Sequence, residues 1–299
     1  MKKILITGGS GLLGSNLALR LRKNYEVLIL LNKIRINIPS TINAKAQSSL
    51  DEIFSSFRPD LVINTVALTN IELCEEKPLL AQKINVAFLE RVILFCKKYN
   101  SKILHISTDH MSDGLNALVN EEHILHPMNQ YAKTKLKAEK TLKLAVPESL
   151  IIRTNFFGWG PDYRKSFSDR IINEIKKKKK IYLFKDAFFS PVSIRTLCAQ
   201  IIKLCEINAN GVYNISSNDR ISKLQFGLML CDYFKLDQKL IIPSSIEDQK
   251  QLVIRPRDTS LDNKKISDLL KIDCGPVYNN ISHLFYDIKD GIKDNIMKL

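Results

Sequence analysis

The sequence has few of the features that mark fibrous, disordered or membrane-spanning chains. It contains only 11 glycines and 10 prolines in 299 residues, and 45% of its residues are apolar, which excludes collagen-like and low-complexity chains. No apolar stretch approaches the roughly 20 residues of a membrane span, and the first apolar run ends at Thr7-Gly8-Gly9, too early for a signal peptide. We therefore expect a folded protein of one large or two modest domains that works in the cytoplasm, without a membrane partner.

Cysteine and histidine lack the spacing of disulfide or metal frameworks. No C-x-x-C pair occurs, and the histidines show no metal-ligand spacing. The cysteines lie in or beside apolar segments, which predicts reduced, buried thiols and no catalytic metal. They are Cys74, Cys96, Cys198, Cys205, Cys231 and Cys274.

Positive charge is in excess, but no segment concentrates it as a nucleic-acid-binding tail would. The formal net charge of +14 is divided equally between residues 1–155 and 156–299. The densest cluster, five lysines at residues 176–180, follows an amphipathic stretch, where cations complement the dipole at a helix C-terminus. This distribution predicts a solvated helix end and no nucleic-acid partner, and it suits an anionic small ligand.

Short β-branched segments alternate with longer amphipathic ones, which is the pattern of βαβ units on a parallel sheet. We predict strands at residues 3–7, 26–31, 60–65, 102–107, 150–154 and 212–215. We predict helices at residues 12–22, 78–99 and 129–143, whose apolar faces would cover both sides of the sheet. The expected fold is α/β, a Rossmann-type doubly wound parallel sheet.

The alternation becomes less regular after about residue 155, which indicates a second, smaller domain. We expect residues 1–155 to form a Rossmann-type domain and residues 156–299 a smaller C-terminal domain. The segment at 211–217 has the pattern of another strand of the main sheet. The second domain would therefore be interleaved with the first.

The first predicted strand leads directly into a glycine-rich turn and a helix, at residues 8–14. Gly8 would permit a tight turn, Gly11 would let a pyrophosphate approach the backbone, and Gly14 would let the helix pack closely on the strand. The intervening Leu12 and Leu13 open the helix, whose N-terminal N–H groups suit a phosphate. A G-x-x-G-x-x-G turn between strand and helix predicts a dinucleotide cofactor.

The end of the second predicted strand indicates which dinucleotide is preferred. An NAD site usually places a carboxylate there for the ribose 2′-hydroxyl, but this sequence reads Asn32-Lys33-Ile34-Arg35. Lys33 or Arg35 could pair with a 2′-phosphate, although either cation could also be a plain loop residue. We predict a cofactor site that includes Asn32, Lys33 and Arg35 and prefers NADP(H) over NAD(H).

A tyrosine and a lysine stand four residues apart in a later helical segment. Tyr131 and Lys135 therefore share one helix face, one turn apart. A phenol has a pKa of about 10, and a neighbouring ammonium lowers that pKa. The pair suits carbonyl reduction, in which Tyr131 protonates the oxygen as hydride arrives at carbon. Thr108, at the end of a predicted central strand, could hydrogen-bond the same oxygen.

These segments together resemble the extended short-chain dehydrogenase/reductases, and within that family the dTDP-4-dehydrorhamnose reductases. The resemblance spans nearly the whole chain. It is carried by residues 7–14, 58–64, 67–75, 84–85, 107–109, 113–114, 127–131, 153–154, 190–191 and 255–256.

The resemblance implies a reductase of a nucleotide-linked 4-keto-6-deoxy sugar, in the synthesis of a surface polysaccharide. Thr108, Tyr131 and Lys135 would be the catalytic triad, and Lys135 would also hold the nicotinamide ribose. Further cofactor contacts are expected from Asn64, Ala67 and Asn85. Substrate contacts are expected from Thr69, Asp109, His110, Thr154, Asn155 and Arg255.

One segment departs from the family pattern and affects the choice of substrate. Family members commonly read Ser-Thr-Asp-Tyr-Val-Phe-Asp-Gly, whereas this chain has His110, Met111 and Ser112 in place of Tyr-Val-Phe. His110 could serve as an acid or base, or as a hydrogen-bonded packing residue. Related 4,6-dehydratases usually carry Thr-Asp-Glu, and the absence of that glutamate disfavours dehydration.

Two other functions remain open at this point. A sugar epimerase would use the same triad on tightly held NAD. A non-catalytic NADP-binding subunit is the other, since the fold also resembles the regulatory subunit of methionine adenosyltransferase, which binds a partner protein. The expected partner is a nucleotide-diphosphate sugar, and a homodimer is possible.

Overall fold

The computed structural model describes residues 2–32, 34–45, 49–249 and 253–299. Lys33, one of the predicted cofactor residues, lies outside the described residues. The strands are β1 Lys3–Thr7, β2 Glu26–Leu31, β3 Ile42–Lys45, β4 Leu61–Asn64, β5 Lys102–Ile106, β6 Leu150–Thr154, β7 Phe156–Phe157, β8 Ile181–Phe184, β9 Phe188–Phe189, β10 Val192–Ser193, β11 Gly211–Ile215, β12 Ile221–Ser222 and β13 Ile241–Ser244.

The helices alternate with these strands through the first half of the chain. They are α1 Leu12–Leu21, α2 Leu50–Phe57, α3 Ile71–Glu76, α4 Pro78–Gln82, α5 Phe88–Tyr99, α6 Gln130–Ala145, α7 Phe167–Lys176, α8 Ile194–Glu206, α9 Lys223–Phe234, α10 Lys264–Leu270, α11 Val277–Lys289 and α12 Ile292–Met297. A π-helical turn, Lys83–Ala87, joins α4 to α5, and a 3₁₀ turn, Gln238–Leu240, precedes β13.

Seven strands form the central sheet, in the order β11-β6-β5-β4-β1-β2-β3, and each pairs with its neighbours in parallel. The central strands are largely apolar and buried because helices cover both faces of the sheet. One buried cluster includes side chains of α1 and α8, and the cluster on the other face includes side chains of α2, α5 and α6. The predicted fold class, a doubly wound parallel sheet, is confirmed.

Two parts of the fold differ from the predicted elements. The edge strand β3 was not expected, because its side chains are mostly exposed and it lacks an apolar pattern. The predicted helix at 78–99 is interrupted by the π-helical turn. Asn85 in that turn accepts from the Leu68 amide at 2.7 Å and donates to the Thr134 hydroxyl at 2.9 Å, so it ties the turn to a loop and to α6.

Residues after 155 contribute both to the main sheet and to a separate apolar cluster. β11 pairs in parallel with β6, with Gly211 opposite Leu150. The separate cluster is centred on Phe157, Phe189 and Phe226. The six cysteines are free thiols, and five of them are buried. Across the described residues, no helix has the length and apolar character needed to span a membrane.

Candidate active site

A cleft of about 1030 Å³ opens at the carboxyl ends of the central strands. This is where open parallel sheets bind ligands, because the loops after neighbouring strands meet there. Many of the residues predicted from sequence line it together: Gly8, Gly11, Leu12, Leu13, Asn32, Ala67, Thr69, Thr108, Asp109, His110, Tyr131, Lys135, Thr154 and Asn155.

The glycine turn forms one end of the cleft and leaves no room for side chains. Gly8 has a φ of +78°, in the left-handed region that favours glycine, and its carbonyl accepts from the Gly11 amide at 2.8 Å. A Cβ on Gly14 would lie only 2.3 Å from the Gly8 oxygen. The N-terminus of α1 therefore faces the cleft close to the backbone of the turn, and α1 carries no acidic residue in its first turn. These features fit the pyrophosphate of a dinucleotide.

Several cations on the cleft wall were missed by the sequence reasoning. Lys83, Arg91, Arg164 and Lys165 line the cleft, against the single carboxylate of Asp109 among the described lining residues. Within the described part of the chain, Arg91 and Arg164 form no ion pair. No local motif marks these exposed residues, so only the fold reveals that they border an anion site.

Other predicted residues do not lie on the described cleft wall. Arg35 is exposed and does not line the cleft. Asn64 is buried behind the wall, and Asn85 holds the loop at Leu68 rather than facing the cleft. Arg255 pairs with Glu72 and also donates to the Val253 carbonyl. The predictions that these residues contact ligands stay predictions.

Tyr131 lies on the floor of the cleft, in the first turn of α6. Its side chain is 8% exposed, and burial raises its pKa well above the ordinary value of a phenol. A hydrogen bond with Thr108 opposes that rise, and the field of Asp109 adds to it. The sequence reasoning expected the ammonium of Lys135 to lower this pKa, but the loss of water around the phenol is the larger effect. Tyr131 therefore keeps its proton at neutral pH.

Lys135 lies one turn further along α6 and is 1% exposed. Its Nζ donates to the Ile106 carbonyl at 2.7 Å and lies 3.1 Å from His105 Nε2. Burial lowers the pKa of Lys135 to about 8, while the nearby carboxylate of Glu139 raises it. A lysine with this pKa can gain or lose a proton near physiological pH.

His110 and Asp109 form the part of the wall next to Tyr131. The His110 ring packs edge-on against Tyr131, with 6.1 Å between ring centroids, and its Nε2 lies 3.9 Å from Asp109 Oδ1. Asp109 also accepts from Asn155 Nδ2 at 2.7 Å. Burial lowers the pKa of His110 below its ordinary value, although Asp109 opposes this. His110 Nδ1 has no hydrogen-bond partner among the described residues.

Comparison with known proteins gives consistent relatives along the whole chain. The family model of the RmlD substrate binding domain matches residues 1–288. The dTDP-4-dehydrorhamnose reductase of Aggregatibacter actinomycetemcomitans is 28% identical over 288 residues, which cover 91% of this chain and 94% of that protein. The spore coat polysaccharide biosynthesis protein SpsK of Bacillus subtilis (strain 168) is 27% identical, over 90% of this chain and 92% of its own.

A solved structure gives the same result for the fold and for the sequence. The hypothetical dTDP-4-dehydrorhamnose reductase from Sulfolobus tokodaii superposes with a TM-score of 0.81 at 31% identity, covering 92% of this chain and 97% of that one. Its fold, like the family model, extends over both the glycine turn and the later segments. The chain belongs to the RmlD substrate binding domain family, a branch of the extended short-chain dehydrogenase/reductases.

Proposed function

We propose that the protein is an NADPH-dependent reductase of a nucleotide-diphospho-4-keto-6-deoxy sugar, in the synthesis of a surface polysaccharide. One observation carries the proposal: Thr108, Tyr131 and Lys135 meet in one cleft with the glycine turn and the N-terminus of α1. The relatives named above, a dTDP-4-dehydrorhamnose reductase and a polysaccharide biosynthesis protein, support the substrate class.

Tyr131 acts as the general acid in this reaction. Its raised pKa keeps the hydroxyl protonated, so it can donate to the carbonyl oxygen at C4 while Thr108 donates a second hydrogen bond to that oxygen. NADPH, when bound, supplies the hydride that C4 receives. The carbonyl becomes a secondary alcohol, and solvent returns one proton to the phenolate. Lys135 lies beside Thr108 and Tyr131, where it binds the cofactor ribose. It gains or loses a proton as the protonation of the site changes.

The cofactor preference is assigned to Arg91 together with the loop after β2. Arg91 lines the same cleft as Asn32 and Ile34, and it forms no ion pair among the described residues. A guanidinium there can make two parallel hydrogen bonds with a ribose 2′-phosphate. Arg35 does not lie among the described lining residues, so its contact with the cofactor stays a prediction.

We also propose that the sugar lies against Asp109, His110, Thr154 and Asn155. These residues line the cleft beside Tyr131, and the Thr154 hydroxyl and His110 Nδ1 are buried atoms without partners in the described structure. Buried polar atoms of this kind are normally hydrogen-bonded, so hydroxyl groups of the sugar can supply the missing hydrogen-bond partners. Asn155 fixes the carboxylate of Asp109 that would accept from the sugar.

The test is NADPH oxidation with freshly generated dTDP-4-dehydrorhamnose, alongside GDP- and UDP-linked 4-keto sugars and NADH controls. We expect turnover with at least one sugar nucleotide, faster with NADPH than with NADH, and a product whose C4 carries the transferred hydrogen. Cofactor that co-purifies and a product isomeric with its substrate would favour the epimerase. NADPH binding without turnover on any sugar, and recovery with a partner protein, would favour the regulatory subunit.

We also propose the organisation in which this enzyme works. Residues 1–155 would form the cofactor-binding domain and residues 156–299 the substrate-binding domain, with β11 returning to the main sheet. The protein would act in the cytoplasm as a homodimer. Light scattering on the eluted protein tests the homodimer, since a monomer mass at micromolar concentration would contradict it.

A further inference from the structure

Behind the cleft wall, four polar side chains form a buried row that crosses the sheet and reaches α6. Thr7, Asn64 and His105 lie near the carboxyl ends of β1, β4 and β5, where the register pairs Thr7 with Asn64 and Asn64 with His105. Lys135 completes the row. Each of the four side chains is at most 1% exposed. The proposed reaction gives a role to Lys135 alone, so the other three need an explanation.

The amide of Asn64 has a defined orientation in this row. Its Oδ1 lies 2.6 Å from the Thr7 hydroxyl and 3.4 Å from the backbone nitrogen of Val66. A backbone N–H can only donate, so the atom that faces it must be the amide oxygen. The amide nitrogen, which can only donate, therefore faces His105 Nδ1 at 2.9 Å.

This orientation fixes the position of the proton on His105. Burial, together with the neighbouring Lys135, holds the pKa of His105 well below its ordinary value, so the ring is neutral and carries one N–H. Because Nδ1 accepts from Asn64, the proton lies on Nε2, which faces Lys135 Nζ at 3.1 Å. An ammonium has no lone pair and cannot accept this hydrogen bond. The arrangement therefore fits Lys135 as an uncharged amine.

Charging Lys135 requires the whole row to rearrange. The ammonium must donate to Nε2, so the single proton of His105 moves to Nδ1. Asn64 must then turn its amide to accept from Nδ1, which places its nitrogen against the Thr7 hydroxyl and the Val66 N–H. One proton enters from solvent on Lys135, and the number of protons on His105 does not change. The Thr7 hydroxyl can accept from that nitrogen, but it and the Val66 N–H both lose the acceptor they have now, and this loss is the cost of the charged state.

We propose that Thr7, Asn64 and His105 are positioning residues that couple the charge of Lys135 to the tautomer of His105. The amine form of Lys135 pairs with the Nε2–H imidazole, and the ammonium form pairs with the Nδ1–H imidazole. The row therefore disfavours the charged lysine without any contact with substrate. Only the kinetic consequence of this proposal rests on the proposed function.

Few charged groups face the row from the elements packed around it. Glu139, one turn beyond Lys135 on α6, favours the ammonium, but it is itself bound to Arg153, with 2.8 Å between Nη2 and the carboxylate. Burial acts in the opposite direction and lowers the pKa of Lys135 to about 8. The ionisation of Lys135 is therefore expected between about pH 7 and pH 9, a range in which His105 itself stays neutral.

The direct test is nuclear magnetic resonance of the purified full chain with ¹⁵N-labelled histidine and ¹³C,¹⁵N-labelled lysine, recorded from about pH 6.5 to pH 9.5 to bracket that ionisation. The His105 signals are assigned by their loss in His105→Gln, and the Lys135 Cε–Nζ signal by its loss in Lys135→Met. We expect His105 to change from the Nδ1–H to the Nε2–H tautomer as pH rises, with the same midpoint as the lysine signal. A single tautomer throughout, or an imidazolium at low pH, would overturn the proposal.

Two substitutions in the row show whether the titration midpoint of Lys135 depends on the tautomer of His105 or only on the charge placed nearby. Asn64→Asp places a carboxylate that accepts only, which holds the Nδ1–H tautomer and should raise the Lys135 midpoint by about one unit or more. Thr7→Val adds no charge but removes the hydrogen bond that the Thr7 hydroxyl donates to Asn64 Oδ1 in the present orientation of the amide. It should raise the same midpoint by about half a unit. If the Lys135 midpoint shifts in Asn64→Asp but not in Thr7→Val, charge alone explains the shift. That result would refute the coupling between the Lys135 charge and the His105 tautomer.

The pH profile of the enzyme provides the link to function. If the protein reduces 4-keto sugars, the alkaline limb of kcat/KM should move with the Lys135 midpoint in both variants, whereas loss of packing alone would lower the rate at every pH. The magnetic resonance measurement requires no substrate. Absence of reductase activity would therefore refute the proposed function and leave the tautomer coupling to be decided by its own signals.

Discussion

The two ends of the cleft are constructed in different ways. At the end proposed for the cofactor, the glycine turn is built from consecutive residues of one strand, one turn and one helix, and backbone atoms dominate. At the end proposed for the substrate, Asp109, Tyr131 and Asn155 come from segments far apart in sequence and are held by side-chain contacts. A local motif therefore determines the first end, and tertiary packing determines the second.

The largest expected effect tests the substrate end. Tyr131→Phe removes the proposed acid but keeps the ring in its buried site, so kcat should fall by about 10²- to 10⁴-fold. NADPH affinity, measured by fluorescence titration, should stay within about twofold, because the cofactor end is built separately. An active Tyr131→Phe enzyme, or an equal loss of cofactor affinity, would contradict the separation of the two ends.

The cofactor end is tested by adding a single methyl group. Gly14→Ala places a Cβ 2.3 Å from the Gly8 oxygen, so it must push α1 away from the turn. We expect a loss of about 1–3 kcal/mol in the free energy of unfolding and a weaker NADPH complex. Gly211→Ala is the matched control, because Gly211 has a φ of +91° but no atom lies within 4 Å of the position that a methyl group would take there. It should destabilise the fold and leave NADPH affinity unchanged.

The buried lysine between the two ends should reduce stability. Its folded pKa of about 8 lies below the ordinary 10.5, so the unfolded chain holds this proton more tightly. The free energy of unfolding should therefore rise between about pH 8 and pH 10.5. Lys135→Met removes the ionisable group. It should raise the free energy of unfolding at pH 7 by about 2 kcal/mol, measured by urea denaturation, and abolish the rise between about pH 8 and pH 10.5.

A neighbouring residue provides the control for that measurement. Lys133 lies on the same helix but is exposed. Lys133→Met should change the stability by less than about 0.5 kcal/mol at either pH. If the two variants behave alike, the buried position of Lys135 would not be the source of the effect.

The smallest expected effect concerns the choice between the two nicotinamide cofactors. Arg91→Ala should raise KM for NADPH by about tenfold and leave KM for NADH nearly unchanged, because only NADPH carries the 2′-phosphate. Arg35→Ala should change neither constant by more than about twofold, since Arg35 does not line the cleft. Equal changes in KM for both cofactors would show that Arg91 does not bind the 2′-phosphate.

Local patterns predicted the parts of the molecule that local interactions determine. β1, β2 and β6 were predicted with their observed limits, because each buried parallel strand contains a run of consecutive apolar residues. The glycine turn and the Tyr131–Lys135 spacing are likewise contained in short segments. The exposed strand β3 and the π-helical turn around Asn85 have no such pattern, since pairing and tertiary hydrogen bonds create them.

The site shows the same division between local and distant determinants. Arg91 and Arg164 reach the cleft only because the fold brings segments distant in sequence to its wall, so their single positions in the sequence carried no signal. The pKa of Tyr131 was expected to fall because of Lys135. Burial raises it instead, and the spacing of two residues does not predict how much water the packing removes from the phenol.

The pairing of β11 with β6 has a consequence for how the chain folds. During synthesis β6 is complete at Thr154, but its partner strand ends only at Ile215. In the interval the nascent sheet presents the unpaired backbone of β6, an edge that can bind a strand of another molecule. The aromatic cluster around Phe157, Phe189 and Phe226 also completes only when α9 has been made. The complete sheet can therefore form only after residue 215 has been synthesised. Synthesis interrupted before that point leaves an aggregation-prone intermediate.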